Sequence, residues 1–168
     1  VKRNVRAQQK LFDKFARKML GVCLRYSKNT EQAEDVLQDG FVKVYSKLKD
    51  FKMEGSLEGW IRRIMVNTAL DQIRKNGKLL GDTNIDDVGY KIENNAFVFE
   101  GLVAEDLMKL VQSMPTGYKV VFNMFAIEGY THFEIAKTLG ISENTSKSQY
   151  SRARAYLREK LELIDGGR

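Results

Sequence analysis

The chain has 168 residues, 43% of them hydrophobic, and 28 Lys+Arg against 22 Asp+Glu leave it at +6. This is enough apolar material for one or two small cores, and the basic balance favours an anionic partner such as nucleic acid or a membrane surface. One cysteine, Cys23, cannot close an intramolecular disulfide, and one histidine, His132, cannot complete a Cys/His zinc site with it. No run reaches the ~18 apolar residues a membrane span needs. Val1-Lys2-Arg3-Asn4 leads into no signal-peptide core. A reducing cytoplasm is the expected compartment, and a first residue that is Val rather than Met suggests a missing or processed start.

A single proline, Pro115, argues for helices over an all-β domain. Residues 8–76 carry helical periodicity throughout: Leu11, Phe15, Met19 and Val22, then Val36, Leu37, Phe41, Val44, Tyr45 and Leu48, then Leu57, Ile61, Ile64, Thr68 and Ile73. Thr30 is the expected N-cap of the second stretch and Ser56 of the third. Residues 77–104 lose the period and gather Gly, Asn and Asp. From 81 to 106, seven acids face one base, Lys91, a net charge of −6. The segment reads as a flexible acidic linker. Residues 105–163 are helical again, with one stripe at Leu107, Leu110 and Val111 ending at Pro115 and another at Val120, Val121, Met124 and Phe125. The tail 165–168 is expected to fray.

Within the last third, Thr131-His132-Phe133-Glu134 fits a capping box. A short helix to Leu139, Gly140 as a left-handed stop, and Ser142 as cap of a longer helix together make a helix-turn-helix pattern. On the longer helix Tyr150, Ala153, Leu157 and Leu161 share an inner face. Asn144, Lys147, Ser148, Ser151 and Arg152 lie opposite, near the N-terminal end, where a recognition helix needs short polar groups and cations. A merely solvated amphipathic face is the alternative.

Asp35, Gln38 and Asp39 fall on one helix face. Catalysis is disfavoured, because neither His132 nor Cys23 has an evident partner and no metal cluster or phosphate loop accompanies the carboxylates. The face is either solvated or a docking stripe for a basic partner. Further on, residues 60–78 carry a net +4, with Arg63, Asn67 and Arg74 near one stripe beside Arg62. Together with the loop around Lys52 and Trp60, such cations suit single-stranded DNA: phosphates meet the cations and an unstacked base enters a pocket. The plainer alternative places Trp60 in the core. His132 reads as a solvent-facing first-turn residue and Cys23 as a small buried apolar one.

These strings resemble a known family. Ala33-Glu-Asp-Val-Leu-Gln-Asp-Gly-Phe41, then Phe51 to Arg74, are similar to region 2 of the sigma factors. Leu110…Met114-Pro115, Glu128-Gly129-Tyr130-Thr131, Glu134-Ile135-Ala136, Leu139-Gly140-Ile141-Ser142 and Ser148 to Arg154 are similar to region 4. Two regions alone, joined by a short linker, resemble the extracytoplasmic-function (ECF, group 4) sigma factors. The resemblance implies an all-α chain of two small helical domains, region 2-like over 8–76 and region 4-like over 105–163. It also implies a non-enzymatic subunit without cofactor, metal or small-molecule substrate. Such a subunit binds core RNA polymerase, recognises −10 and −35 promoter elements, and helps open DNA. By the resemblance, Asp35, Gln38 and Asp39 dock on the β′ clamp helices and region 4 docks on the β flap. Lys52, Trp60, Arg62, Arg63, Asn67 and Arg74 meet the −10 DNA. Asn144, Lys147, Ser148, Ser151 and Arg152 meet the −35 duplex. Members are often held by an anti-sigma factor. Ser146 stands where the family commonly has Val, and Gln149 where Arg is frequent. The alternative is a stand-alone helix-turn-helix regulator.

Overall fold

A computed structural model describes residues 4–76 and 104–165, and these divide between two compact units, Val1–Gly77 and Lys78–Arg168. The expected linker over 77–103 and the tail 166–168 lie outside the described residues. Among the described residues every regular element is helical.

The first unit is a three-helix assembly of α1 (Val5–Tyr26), α2 (Thr30–Lys47) and α3 (Leu57–Lys75), with a 3₁₀ turn at Leu48–Asp50. The three mutually packed helices bury most of the expected apolar stripes: Phe15, Met19 and Val22 on α1, Val36, Leu37, Phe41 and Val44 on α2, and Ile61, Thr68 and Ile73 on α3, whereas Leu11, Tyr45, Leu57 and Ile64 are half-buried and Leu48 is exposed. Each buried apolar side chain contributes about 1.5–3 kcal/mol. Helix α3 also buries Met65, Val66, Ala69 and Leu70, a wider face than its expected stripe, because both α1 and α2 pack on it. The Phe12 and Phe41 rings meet at 4.8 Å, and the Tyr45 hydroxyl donates to the Gln8 carbonyl at 3.1 Å, so α1 and α2 are joined by ring packing and a hydrogen bond. Cys23 is fully buried, and burial pushes its thiol up to about 12, against the opposing pull of Arg25.

One expected cap is corrected. Asn29, not Thr30, caps α2: its side chain accepts from the Gln32 amide at 2.9 Å, and Gln32 Oε1 in return accepts from the Lys28 amide at 2.8 Å. Asn29 holds the extended backbone an N-cap requires while Thr30 is already helical. Ser56 caps α3 as expected, through the Gly59 amide at 3.0 Å.

The second unit runs α4 (Ala104–Ser113), α5 (Thr116–Phe122), a π-helical turn (Asn123–Ile127), α6 (His132–Leu139) and α7 (Glu143–Asp165). Its core gathers Leu110, Val111, Met114, Phe122, Ala153 and Leu157. The Tyr156 hydroxyl donates to the Ser113 carbonyl at 3.1 Å, tying α7 to α4. No helix among the described residues is long and apolar enough to cross a membrane.

Candidate nucleic-acid and docking surfaces

On α2, Asp35, Gln38 and Asp39 are all exposed, while Val36, Leu37, Gly40 and Phe41 between and beside them are buried. The helical repeat of about 100° per residue confines the three polar positions to an arc of about 100°. Val42 falls within the same arc and is 67% exposed, so an apolar side chain sits in the acidic face. Sequence reasoning misses Val42. Its one signal is a position two turns after Asp35, off the buried stripe.

The loop before α3 opens a shallow apolar cleft of about 500 Å³ lined by Leu48, Phe51, Met53, Gly55 and Leu57. Two left-handed residues shape it: Gly55, and Met53 at φ 59°, a conformation seldom taken by a side chain as large as methionine. Met53 is 82% exposed and is another position the sequence does not single out. Trp60 is half-buried and its ring lies 5.3 Å from that of Phe51, so it braces a cleft wall without being a lining residue itself. Lys52 is exposed in the loop. Along α3, Arg63, Asn67 and Arg74 are exposed on one stripe, whereas Arg62 is half-buried and lies about 100° from Arg63 around the helix. Arg74 pairs with Asp71 at 3.2 Å, and Lys43 of α2 reaches the same carboxylate at 3.2 Å. The last turn of α3 is thereby partly neutralised.

In the second unit the capping box at Thr131 and Glu134 forms in full, Gly140 takes the left-handed conformation at φ 69°, and Ser142 Oγ accepts from the Thr145 amide at 3.0 Å. These three local devices set α6 and α7 as the helix-turn-helix. Asn144, Lys147 and Ser148 are exposed on α7. Ser151 and Arg152, one turn on, are half-buried. Gln149 leaves this face, being 2% exposed with its Oε1 accepting no hydrogen bond from the described residues. Arg154 lies over the Tyr150 ring at 5.9 Å and Lys160 over the Tyr156 ring at 5.5 Å, so both cations are held against α7's own aromatic side chains.

His132 departs from the solvent-facing expectation. Its ring stacks on Phe125 at 4.2 Å and 12°, and its Nδ1 lies 2.9 Å from the buried Ser146 Oγ. Burial, reinforced by Lys147 and opposed by Glu143, holds its pKa below the usual histidine value. Among the described residues no group of His, Cys, Asp and Glu is arranged to hold a metal ion.

Residues 11–79 match the family model described as sigma-70 region 2, and residues 104–157 match that of sigma-70 region 4. The chain is similar to the ECF RNA polymerase sigma factor SigE of Mycolicibacterium smegmatis, at 30% identity over 82% of this chain and 54% of that one. It thus spans about half the length of that relative. It is also similar to the ECF sigma factor SigM of Mycobacterium tuberculosis, at 27% identity over 96% and 80%. In fold it resembles the sigma factor RpoE solved in complex with the anti-sigma factor NepR from Bartonella quintana, with a TM-score of 0.58 at 23% identity, covering 92% of this chain and 96% of that one. With both region models matched in order along one chain, and relatives that are themselves ECF sigma factors, this chain belongs to the sigma-70 family, in its extracytoplasmic-function group, and carries regions 2 and 4.

Proposed function

We propose that this chain binds core RNA polymerase, directs it to −10 and −35 promoter elements, and promotes DNA opening, without chemistry of its own. The carrying observation is the ordered pair of region 2 and region 4 matches in one chain. A stand-alone helix-turn-helix regulator would leave the region 2 match without a role. The exposed acidic face of Asp35, Gln38 and Asp39 suits the basic β′ clamp helices, and the second unit is assigned to the β flap. The apolar cleft beside Lys52 and Trp60 suits an unstacked base, with Arg62, Arg63, Asn67 and Arg74 along the −10 backbone. Unstacking costs a few kcal/mol per step, which binding of the extruded base must offset. Asn144, Lys147, Ser148, Ser151 and Arg152 are assigned to the −35 major groove. The work is that of a cytoplasmic protein. The RpoE relative is solved with an anti-sigma factor and CnrH with the cytosolic domain of CnrY. We carry over that a regulator of this kind is a further partner here.

The test is gel filtration of the full chain with core RNA polymerase. Co-elution that Asp35→Lys and Asp39→Lys abolish supports the reading. Duplex binding by the chain alone, with no co-elution, overturns it in favour of the stand-alone regulator.

A further inference from the structure

Helix α1 carries a second cationic surface that none of the assigned roles uses. Arg6, Lys10, Lys14 and Arg17 are all exposed, and the helical repeat places them within about 80° of arc, on the side opposite the buried Phe15, Met19, Cys23 and Tyr26. The stripe runs for about 16 Å along the helix. Three other cations of this unit are engaged with carboxylates: Lys18 with Glu58 at 3.0 Å, and Lys43 and Arg74 with Asp71. Among the described residues no carboxylate pairs with any of the four stripe cations. The acid flanking the stripe, Asp13, accepts from Gln9 Nε2 at 2.8 Å and, with a neutral amide as donor, keeps its negative charge. Four exposed like charges this close repel one another, and the single flanking carboxylate offsets only part of that repulsion.

The helix that carries the stripe is also joined to the element that carries the proposed DNA surface. Lys18, next to Arg17, bridges to Glu58 in the first turn of α3, the end of α3 that carries Trp60, Arg62 and Arg63. We propose that the outward face of α1, through Arg6, Lys10, Lys14 and Arg17, contacts backbone phosphates of the DNA that the −10 surface engages, adding affinity without reading sequence. This rests on the sigma-factor reading. An array of exposed cations spaced along a rod matches the regular charge of a phosphate backbone, and contacts of this kind position DNA without specifying bases.

The test compares the parent holoenzyme with one carrying Arg6→Gln, Lys10→Gln, Lys14→Gln and Arg17→Gln together. Affinity for a fluorescent promoter duplex is measured across a KCl series. The logarithmic salt dependence is expected to become shallower by about 2–4, at about 0.9 for each phosphate that is no longer neutralised. Preference for a matched over a mismatched −10 element is expected to stay unchanged. An Arg6→Lys, Arg17→Lys chain keeps the charges and is expected to keep the parent slope. An unchanged slope in the Gln chain overturns the proposal and leaves a solvated helix face. Failure of the Gln chain to co-elute with core polymerase also overturns it, since the stripe would then face protein. If the parent itself does not co-elute, the sigma-factor reading fails instead. The same salt series with the free chains and the same duplex then tests the stripe, and equal slopes or no binding overturn it.

Discussion

His132 Nδ1 and Ser146 Oγ lie 2.9 Å apart, joining the first turn of α6 to α7 across the helix-turn-helix. The serine is fully buried, and the imidazole is clamped between that hydroxyl and the Phe125 ring. The buried Ser146 hydroxyl therefore has a partner. Ser146→Ala removes that partner and is expected to destabilise the second unit by about 1 kcal/mol, read as a lower denaturation midpoint. The pH dependence follows from the histidine's depressed pKa. Above the unfolded value of about 6.5 the ring is neutral in both states and the stability is fully present. As pH falls below that value the unfolded chain takes up the proton more readily than the folded one, so stability is lost toward and through the folded pKa. Lys147 and Glu143 act on the ring in opposite directions. A His132→Gln chain is expected to lose this acid-side decline in thermal melts between about pH 7 and pH 5. An identical decline in both chains would place the titrating group elsewhere.

The acidic face of α2 combines charge with an apolar centre. Asp35→Lys and Asp39→Lys each set a cation against the basic partner proposed for this face, a like-charge juxtaposition that strongly disfavours association. Val42 tests something the charges do not. Its exposure of 67% on a helix means that Val42→Ala loses little packing and gains helix propensity, so the melting temperature is expected to hold or rise. If Val42 is buried by the polymerase, affinity is expected to fall by about 1 kcal/mol or more, roughly fivefold. Unchanged affinity with unchanged stability would confine docking to the carboxylates.

Features fixed by contacts within a few residues are legible in the sequence. Ser56, the Thr131–Glu134 box and Gly140 each act on amides or backbone angles within about four positions, so spacing alone locates them. The miss at Thr30 has the same origin: Asn29 and Thr30 are adjacent capping residues, and spacing alone does not say which of them stays extended, as Asn29 does, beside the Gln32–Lys28 bond. His132 is illegible for a different reason. Phe125, Ser146 and Tyr150 reach it from the π-helical turn and from α7, and no local pattern encodes that meeting. The wide buried face of α3 likewise depends on two neighbouring helices. Val42 and Met53 escape because the apolar periodicity that finds a core has nothing to say about an apolar residue outside it.

Gly40 on α2 sits directly against the Met65 side chain of α3. A β-carbon there would collide with the sulfur of Met65, which is itself fully buried on α3. Gly40→Ala therefore pits a gain of about 1 kcal/mol in helix propensity against overpacking of about 1–3 kcal/mol. The collision is expected to win, because Met65 is enclosed on every side. Chemical denaturation should show a net loss of stability. In a Met65→Ala background the same change fills space, so its cost should vanish or reverse, giving a non-additive cycle. Additive effects would show that the sulfur moves aside freely and that the glycine serves another purpose.

A substitution at Arg152 tests base reading against phosphate contact on the −35 face proposed for α7. It lies one turn beyond the exposed Lys147 and Ser148 and is half-buried, so its guanidinium is more constrained than the lysine's flexible ammonium. A constrained, forked donor is suited to the paired acceptors of guanine in the major groove. Arg152→Ala is expected to cost about 1–3 kcal/mol on promoters with an intact −35 element and to relax preference at one base pair. On promoters lacking the −35 match the loss should be small, and co-elution with core polymerase should be unaffected. Equal loss on both kinds of promoter, with a salt dependence shallower by about 1, would make the contact one to a phosphate.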